Sequence, residues 1–366
     1  LKGLGVSNQQ LVINGFFQAT DRSDPVAVAL ERRGTQALAA MPEALAIMPT
    51  IRVPLQGFNM VGVPALRALL DEGSPTPDTA PEPASVLHPL KPLSMLIDEL
   101  AEEPHGLIMV MGKGGVGKTT IAAAIAVELA SRGIPVHLST TDPAAHVAAA
   151  VATDVEHLEV SRIDPAAETR AYIGKVMATK GRGLNAEERA LLQEDLRSPC
   201  TEEVAVFHAF SRIVSQARRG FVVLDTAPTG HTLLLLDATG TYHRQVLHDF
   251  RGDASGRRVT PLMRLQDPTY TRIVLVALPE TTPVSEAAAL QEDLRRAGIE
   301  PYAWVINASL AASGTQDPVL HRRSQLELEQ IRRVEETLAK RVVTAPWMTE
   351  PPIGPERLRR LAEGRE

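Results

Sequence analysis

Lys113 and Lys118 share one octet, Gly112-Lys-Gly-Gly-Val-Gly-Lys-Thr119, whose pattern needs a single lysine to grip a phosphate chain. Gly112, Gly114, Gly115 and Gly117 leave the backbone N–H groups of the loop, with that of Val116, open to wrap phosphate oxygens. Lys118 stands where the pattern's lysine reaches the β- and γ-phosphates. The Thr119 hydroxyl stands where it would touch Mg²⁺, and Thr120 carries the loop into an alanine-rich stretch. Lys113 is the extra cation. It makes sense if it serves a different phosphate site, one facing it across an interface.

Three more polar residues end apolar runs. Phe221-Val-Val-Leu delivers Asp225, the arrangement by which a phosphate-loop enzyme holds Mg²⁺, often through water. Asp142 follows Ile134-Pro-Val-His-Leu-Ser139, and two readings stand for it. It either approaches the γ-phosphate or its attacking water, or it opens an ordinary Asp-Pro turn. Asn307 leaves Ala303-Trp-Val-Ile and either reads an adenine edge or is a turn asparagine. Thr226-Ala-Pro-Thr-Gly-His231, directly after Asp225, has the composition of a segment that moves when a γ-phosphate is lost. Cys200 follows Ser198-Pro199 at an expected helix start, where the dipole favours thiolate, although a lone cysteine is commonly an inert buried thiol. His146, His208 and His243 read as solvated or packed side chains.

The positions of these residues dictate the fold. Gly106-Leu-Ile-Met-Val-Met111 is a continuous apolar run, the mark of a parallel strand buried on both faces. After Thr120 the alanine-rich stretch makes a helix ending near Gly133. Strand, loop and helix in that order put phosphates at a positive helix N-terminus. Further strands are expected at 134–139, 221–225, 272–278 and 303–307. The fold class is therefore α/β, a doubly wound, mostly parallel sheet with ligands at the carboxyl ends of its strands. Residues 161–218 read differently, as a helical insertion with helices over 164–180 and 185–193.

The whole chain has 366 residues, 44% hydrophobic and 22% charged, with ample core for such a fold. A net charge of −6 argues against nucleic acid or an acidic membrane as the main partner. One cysteine excludes an internal disulfide and fits a reducing cytosol. An internal repeat divides the chain. Val12-Ile13-Asn14 recurs as Val305-Ile306-Asn307 and Asp24-Pro25 as Asp317-Pro318, both at an offset of 293. Pro54, Gly62, Leu66 and Leu69 recur at an offset of 292 as Pro346, Gly354, Leu358 and Leu361, with Arg32-Arg33 and Arg322-Arg323 slightly out of register. Residues 1–71 are then expected to be the tail of a first ATPase module, 72–104 a Pro-rich linker, and 105–366 a complete second module. The head of the first module would lie outside this sequence, in cis or on another chain.

These motifs resemble the ArsA-type arsenite- and antimonite-stimulated ATPases, within the signature-lysine class of P-loop NTPases. The resemblance is carried by Gly112 to Thr120, Thr141-Asp-Pro-Ala-Ala145, Asp195-Leu-Arg-Ser-Pro-Cys-Thr-Glu-Glu203 and Asp225 to Thr232, with the first 70 residues like the end of that family's first half. It implies ATP and Mg²⁺ as cofactors and As(III) or Sb(III) as activating ligand. It also implies a membrane efflux pump as partner, with the protein cytoplasmic and peripheral to the membrane. Lys113 would reach the opposite nucleotide, Asp142 would orient the hydrolytic water, and Asn307 would contact adenine. Cys200, Ser198 and His231 would form this half's share of a metalloid site, since soft trivalent metalloids prefer thiolate and then imidazole. One thiol cannot make a multi-thiolate site, so metalloid should bind weakly without partner thiols. A client-targeting ATPase of the tail-anchored-protein type is the alternative, but its Cys-x-x-Cys zinc clasp has no counterpart here. A partition ATPase would need a basic patch or a terminal amphipathic helix, and an iron–sulfur ATPase would need more cysteines.

Overall fold

The structure is a computed structural model that describes residue 5 and residues 8–59, 62–70, 89–142, 147–226 and 260–365. Among the described residues nine strands form two parallel sheets: β1 (Leu11–Phe16), β2 (Thr50–Pro54), β3 (Gly106–Met111), β4 (Val136–Thr140), β5 (Leu158–Arg162), β6 (Phe221–Asp225), β7 (Thr271–Ala277), β8 (Ala303–Ser309) and β9 (Val342–Pro346). β1 and β2 pair with each other. The other seven form one sheet in the order β5-β4-β6-β3-β7-β8-β9, parallel throughout. The chain steps outward from β3 to β4 and β5, returns through β6, then continues from β7 on the other side. That reversal makes a crevice at the carboxyl end of β3.

Alternation along β3 shows why the sheet is covered on both faces. Ile108 and Val110 face a cluster built with helices Leu93–Leu100, Lys118–Ser131 and Pro355–Glu363. Leu107, Met109 and Met111 face a second cluster with helices Pro199–Gln216, Thr281–Arg296 and Pro318–Arg333. The helix Lys118–Ser131 buries ten of its residues, alanines included, because it is sandwiched between sheet and outer helices. The insertion is as the pattern predicts, with helices Pro165–Thr179 and Ala186–Asp195, the latter opened by an Asn185/Glu188 capping box.

Part of the expected linker is not linker. Leu93, Leu96, Ile97 and Leu100 are all buried, placing the helix Leu93–Leu100 inside the module's core. Their i, i+3, i+4, i+7 spacing is a helical stripe that sits directly after the Pro-rich run. A bridge from Pro92 to Thr344 ties its start to β9.

The repeat has a structural counterpart. β1 pairs β2 from Leu11↔Thr50 to Phe16↔Pro54 with a register shift after Asn14. β8 pairs β9 from Trp304↔Val342 to Ser309↔Pro346 with a shift after Ile306. The two pairs touch reciprocally. Asp24 caps its own helix through Oδ1, accepting from Ala27 N at 3.0 Å, while Oδ2 accepts from Thr315 Oγ1, Gln316 N and Asp317 N. Asp317 caps its own helix by accepting from Val319 N, and its Oδ2 accepts from Thr20 N and Asp21 N at 2.7 and 2.9 Å. Arg33 donates to Met348 O and Arg323 to Gln56 O, each arginine reaching the loop after the other unit's last strand. Contacts in which residue i meets j and j's equivalent meets i's are those of a two-fold axis.

Under the end of β8 lies Glu327, which accepts from Ser309 Oγ and Ala311 N at 3.0 Å each. Burial pushes its carboxyl up to about 7, outweighing those bonds and the nearby Arg323. The folded state therefore holds a proton that the unfolded chain releases at its ordinary value. Stability is expected to fall as pH rises from about 4.5 to about 7, by up to ~3 kcal/mol, and then level off. Urea midpoints at pH 5 and pH 8 should differ in the wild type and much less in Glu327→Gln.

Candidate active site

The phosphate loop begins where β3 stops. Gly112 has φ +153°, and a Cβ there would run into the carbonyl oxygen of Val276 on neighbouring β7. Gly117 has φ +90° and is the left-handed cap of the helix Lys118–Ser131, and a Cβ on it would collide with the Asn307 side-chain nitrogen. The sequence pattern is thus enforced by close approach of two strand ends. Lys118 folds back over the loop, its Nζ donating to Lys113 O at 3.0 Å. It is only 6% exposed. Burial lowers its pKa, while Asp225 and Asp142 oppose that shift, so a cation sits desolvated between two carboxylates.

β4 and β6 are neighbours, with Thr140 opposite Asp225. Asp225 is fully buried. Its Oδ2 accepts from Thr119 Oγ1 at 2.7 Å and from Thr140 Oγ1 at 3.1 Å, while Oδ1 is buried with no hydrogen-bond partner. Burial raises its pKa, and the two hydroxyls and Lys118 pull it back. An orphaned carboxylate oxygen beside a threonine hydroxyl is a hard, all-oxygen donor set that fits Mg²⁺. Asp142 lies two residues past the end of β4, its N–H donating to Thr140 Oγ1 at 3.1 Å.

Asn307 is held against the loop, Nδ2 donating to Val116 O at 2.9 Å. That bond uses one of the two amide N–H donors and leaves the other, together with Oδ1, for a ligand. An amide that can both donate and accept matches an adenine edge, which pairs an amino group with a ring-nitrogen acceptor. Lys113 points elsewhere. Its Nζ pairs with Glu286 Oε1 at 2.5 Å, half exposed, on the helix Thr281–Arg296 of its own module. Neither Glu286 nor Thr140 stands out in the sequence. Thr140 had one available signal, its position just before the Asp-Pro turn at a strand end.

The structure therefore brings together the loop, Lys118, Thr119, Asp225, Asn307 and the backbone of Asp142. It leaves the metalloid residues open. Cys200 lies in the first turn of the helix Pro199–Gln216, next to Ser198, and His231 lies outside the described residues, as do His146 and His243. His208 is exposed and stacks on Tyr172 at 5.5 Å, and partial desolvation with the nearby Lys175 lowers its pKa. Among the described residues no group of three His, Cys, Asp or Glu gathers as a metal site, and no helix is long and apolar enough to cross a membrane.

Comparison with known proteins shows which family the chain belongs to. A family model described as anion-transporting ATPase matches residues 105–263 and 253–364. The arsenical pump-driving ATPase of Escherichia coli is 51% identical over 99% of this chain and 62% of its own length. That of Acidiphilium multivorum gives the same figures. A more distant relative, the ATPase get3 of Botryotinia fuckeliana, is 26% identical over 70% of this chain and 88% of its own. The chain spans about three fifths of the length of the pump-driving relatives it matches.

Proposed function

This chain belongs to the anion-transporting ATPase family, and from that premise we propose that it hydrolyses ATP to drive arsenite or antimonite out through a membrane pump. The observation that carries the reading is the constellation of Lys118, Thr119 and Asp225 around one loop, with the buried Oδ1 of Asp225 left for a cation. Thr119 and Asp225 would hold Mg²⁺, which neutralises phosphate charge when bound. Lys118 supplies a desolvated positive charge to the phosphates, and Asp142 orients the attacking water. Asn307 contacts adenine through its side-chain amide. The protein itself would be peripheral to the membrane, joined to it by the pump.

Residues 8–70 are read as the closing elements of a first ATPase module. Val12, Ile51 and Leu66 are about half exposed, whereas Val305, Val343 and Leu358 at the equivalent positions are buried against the phosphate-loop strand and helix. A corresponding strand and helix from the first module would cover them. A cavity of about 330 Å³ between the units, lined by Asn14, Gln56, Phe58, Glu280, Thr282 and Arg323, supports a second nucleotide there, with Asn14 in the role of Asn307. Lys113 would leave Glu286 to reach that nucleotide. Cys200, with Ser198 and His231, would contribute to a metalloid site shared by both modules.

The test is an ATPase assay of the chain joined to its complementary module, with and without antimonite. Turnover should rise severalfold with antimonite, and Cys200→Ala should abolish most of that rise while leaving basal turnover intact. Equal stimulation in Cys200→Ala removes the metalloid assignment. A second reading is client-protein targeting, which co-purification of a hydrophobic tail peptide would support.

A further inference from the structure

We propose that Thr140 is a positioning residue that aims the Asp225 carboxylate and fastens the Asp142 backbone to it, so that metal and water sites are set by one hydroxyl. The proposal rests on reading this site as a Mg²⁺-dependent ATPase. Thr140 is buried and its hydroxyl has a single proton. That hydroxyl accepts from the Asp142 N–H, so the proton is committed to Asp225 Oδ2. The two residues are opposite each other on adjacent parallel strands, and a backbone bond from Thr141 N to Asp225 O locks the same register.

The Asp225 carboxylate is a terminal sp³–sp² group with a broad torsional well, so hydrogen bonds must decide its orientation. Two hydroxyls hold Oδ2, and that leaves Oδ1 as the oxygen on offer. Thr119 cannot be the sole anchor, because its own oxygen belongs to the loop and is the candidate metal donor. Thr140 is the anchor with no other duty on the cation side. Without it the carboxylate can turn Oδ1 away, and the Asp142 amide loses its acceptor.

The experiment compares wild type, Thr140→Val and Thr140→Ser for binding of a fluorescent ADP analogue, with Mg²⁺ and with EDTA. Thr140→Val keeps the shape and removes both hydrogen bonds. It should bind within about twofold of wild type in EDTA, yet need at least about 10-fold more Mg²⁺ for half-maximal tightening, and Thr140→Ser should restore the wild-type value. In an Asp225→Asn background Thr140→Val should change nothing further. If the valine variant does not fold, Thr140→Ala replaces it in the same comparison. An unchanged Mg²⁺ requirement, an equal loss in EDTA, or failure of serine to rescue overturns the proposal. A wild type that binds no nucleotide at all overturns the reading of the site, and this role with it.

Discussion

Replacing Lys118 with methionine is expected to lower ATP turnover at least about 100-fold, ~3 kcal/mol of transition-state stabilisation, without weakening the fold. The size of the effect comes from burial. Lys118 is nearly inaccessible and burial lowers its pKa, so its charge acts through a medium far less screening than water. In the nucleotide-free protein that charge costs desolvation, offset by a hydrogen bond to Lys113 O and by the two neighbouring carboxylates. A methionine of similar length therefore leaves thermal stability equal or higher, which separates a lost function from a lost structure. Lys113→Met is the contrasting arm. Its ion pair with Glu286 is about half exposed on both sides and contributes under ~1 kcal/mol. That variant should bind nucleotide at its own loop like wild type and lose turnover only when the complementary module is present. Equal losses for the two lysines, in this chain alone, would contradict the division of labour between them.

The two lysines also mark how much the sequence discloses. Lys118, Thr119 and Asp225 were legible because each sits in a local pattern, an apolar run followed by a fixed offset, and β3 and β6 appear at the expected residues. The fold class was legible for the same reason. Edge strands were harder. β5 reads Leu-Glu-Val-Ser-Arg and β9 reads Val-Val-Thr-Ala-Pro, short segments without the long apolar run of a central strand. What could not be read was pairing across the sheet. Thr140 meets Asp225 only because β6 returns between β4 and β3, and Asn307 meets Val116 only because β8 ends at the height of the loop. Glu286 is one acid among many until the helix Thr281–Arg296 carries it to Lys113. The internal repeat was legible as an offset, yet nothing in that offset disclosed that Asp24 and Asp317 exchange their carboxylates.

That exchange sets the second large effect. Asp24→Ala should destabilise the docking of residues 8–59 by about 3 kcal/mol, because it strands the Thr315 hydroxyl and the Gln316 and Asp317 amides as well as uncapping its own helix. Asp24→Asn, which keeps one acceptor oxygen, should lose less. Burial by itself would raise the Asp24 pKa, but the Thr315 hydroxyl and the Ala27, Asp317 and Gln316 amides together hold it at about 2. A carboxylate depressed in the folded state contributes stability that is complete above its ordinary value near 3.8 and is lost as pH falls through about 2. The wild type should therefore shed this contribution in acid and Asp24→Ala should have none to shed, so their stabilities converge toward pH 2. Asp317→Ala removes the mirror set, stranding the Thr20 and Asp21 amides. Because each aspartate also presents the turn that the other one caps, the double variant should cost less than the sum of the two. Limited proteolysis of the segment 8–59, read alongside thermal unfolding, measures all three. Strict additivity would mean that the two carboxylates act as independent helix caps, and the reciprocal contact would then be packing without coupling.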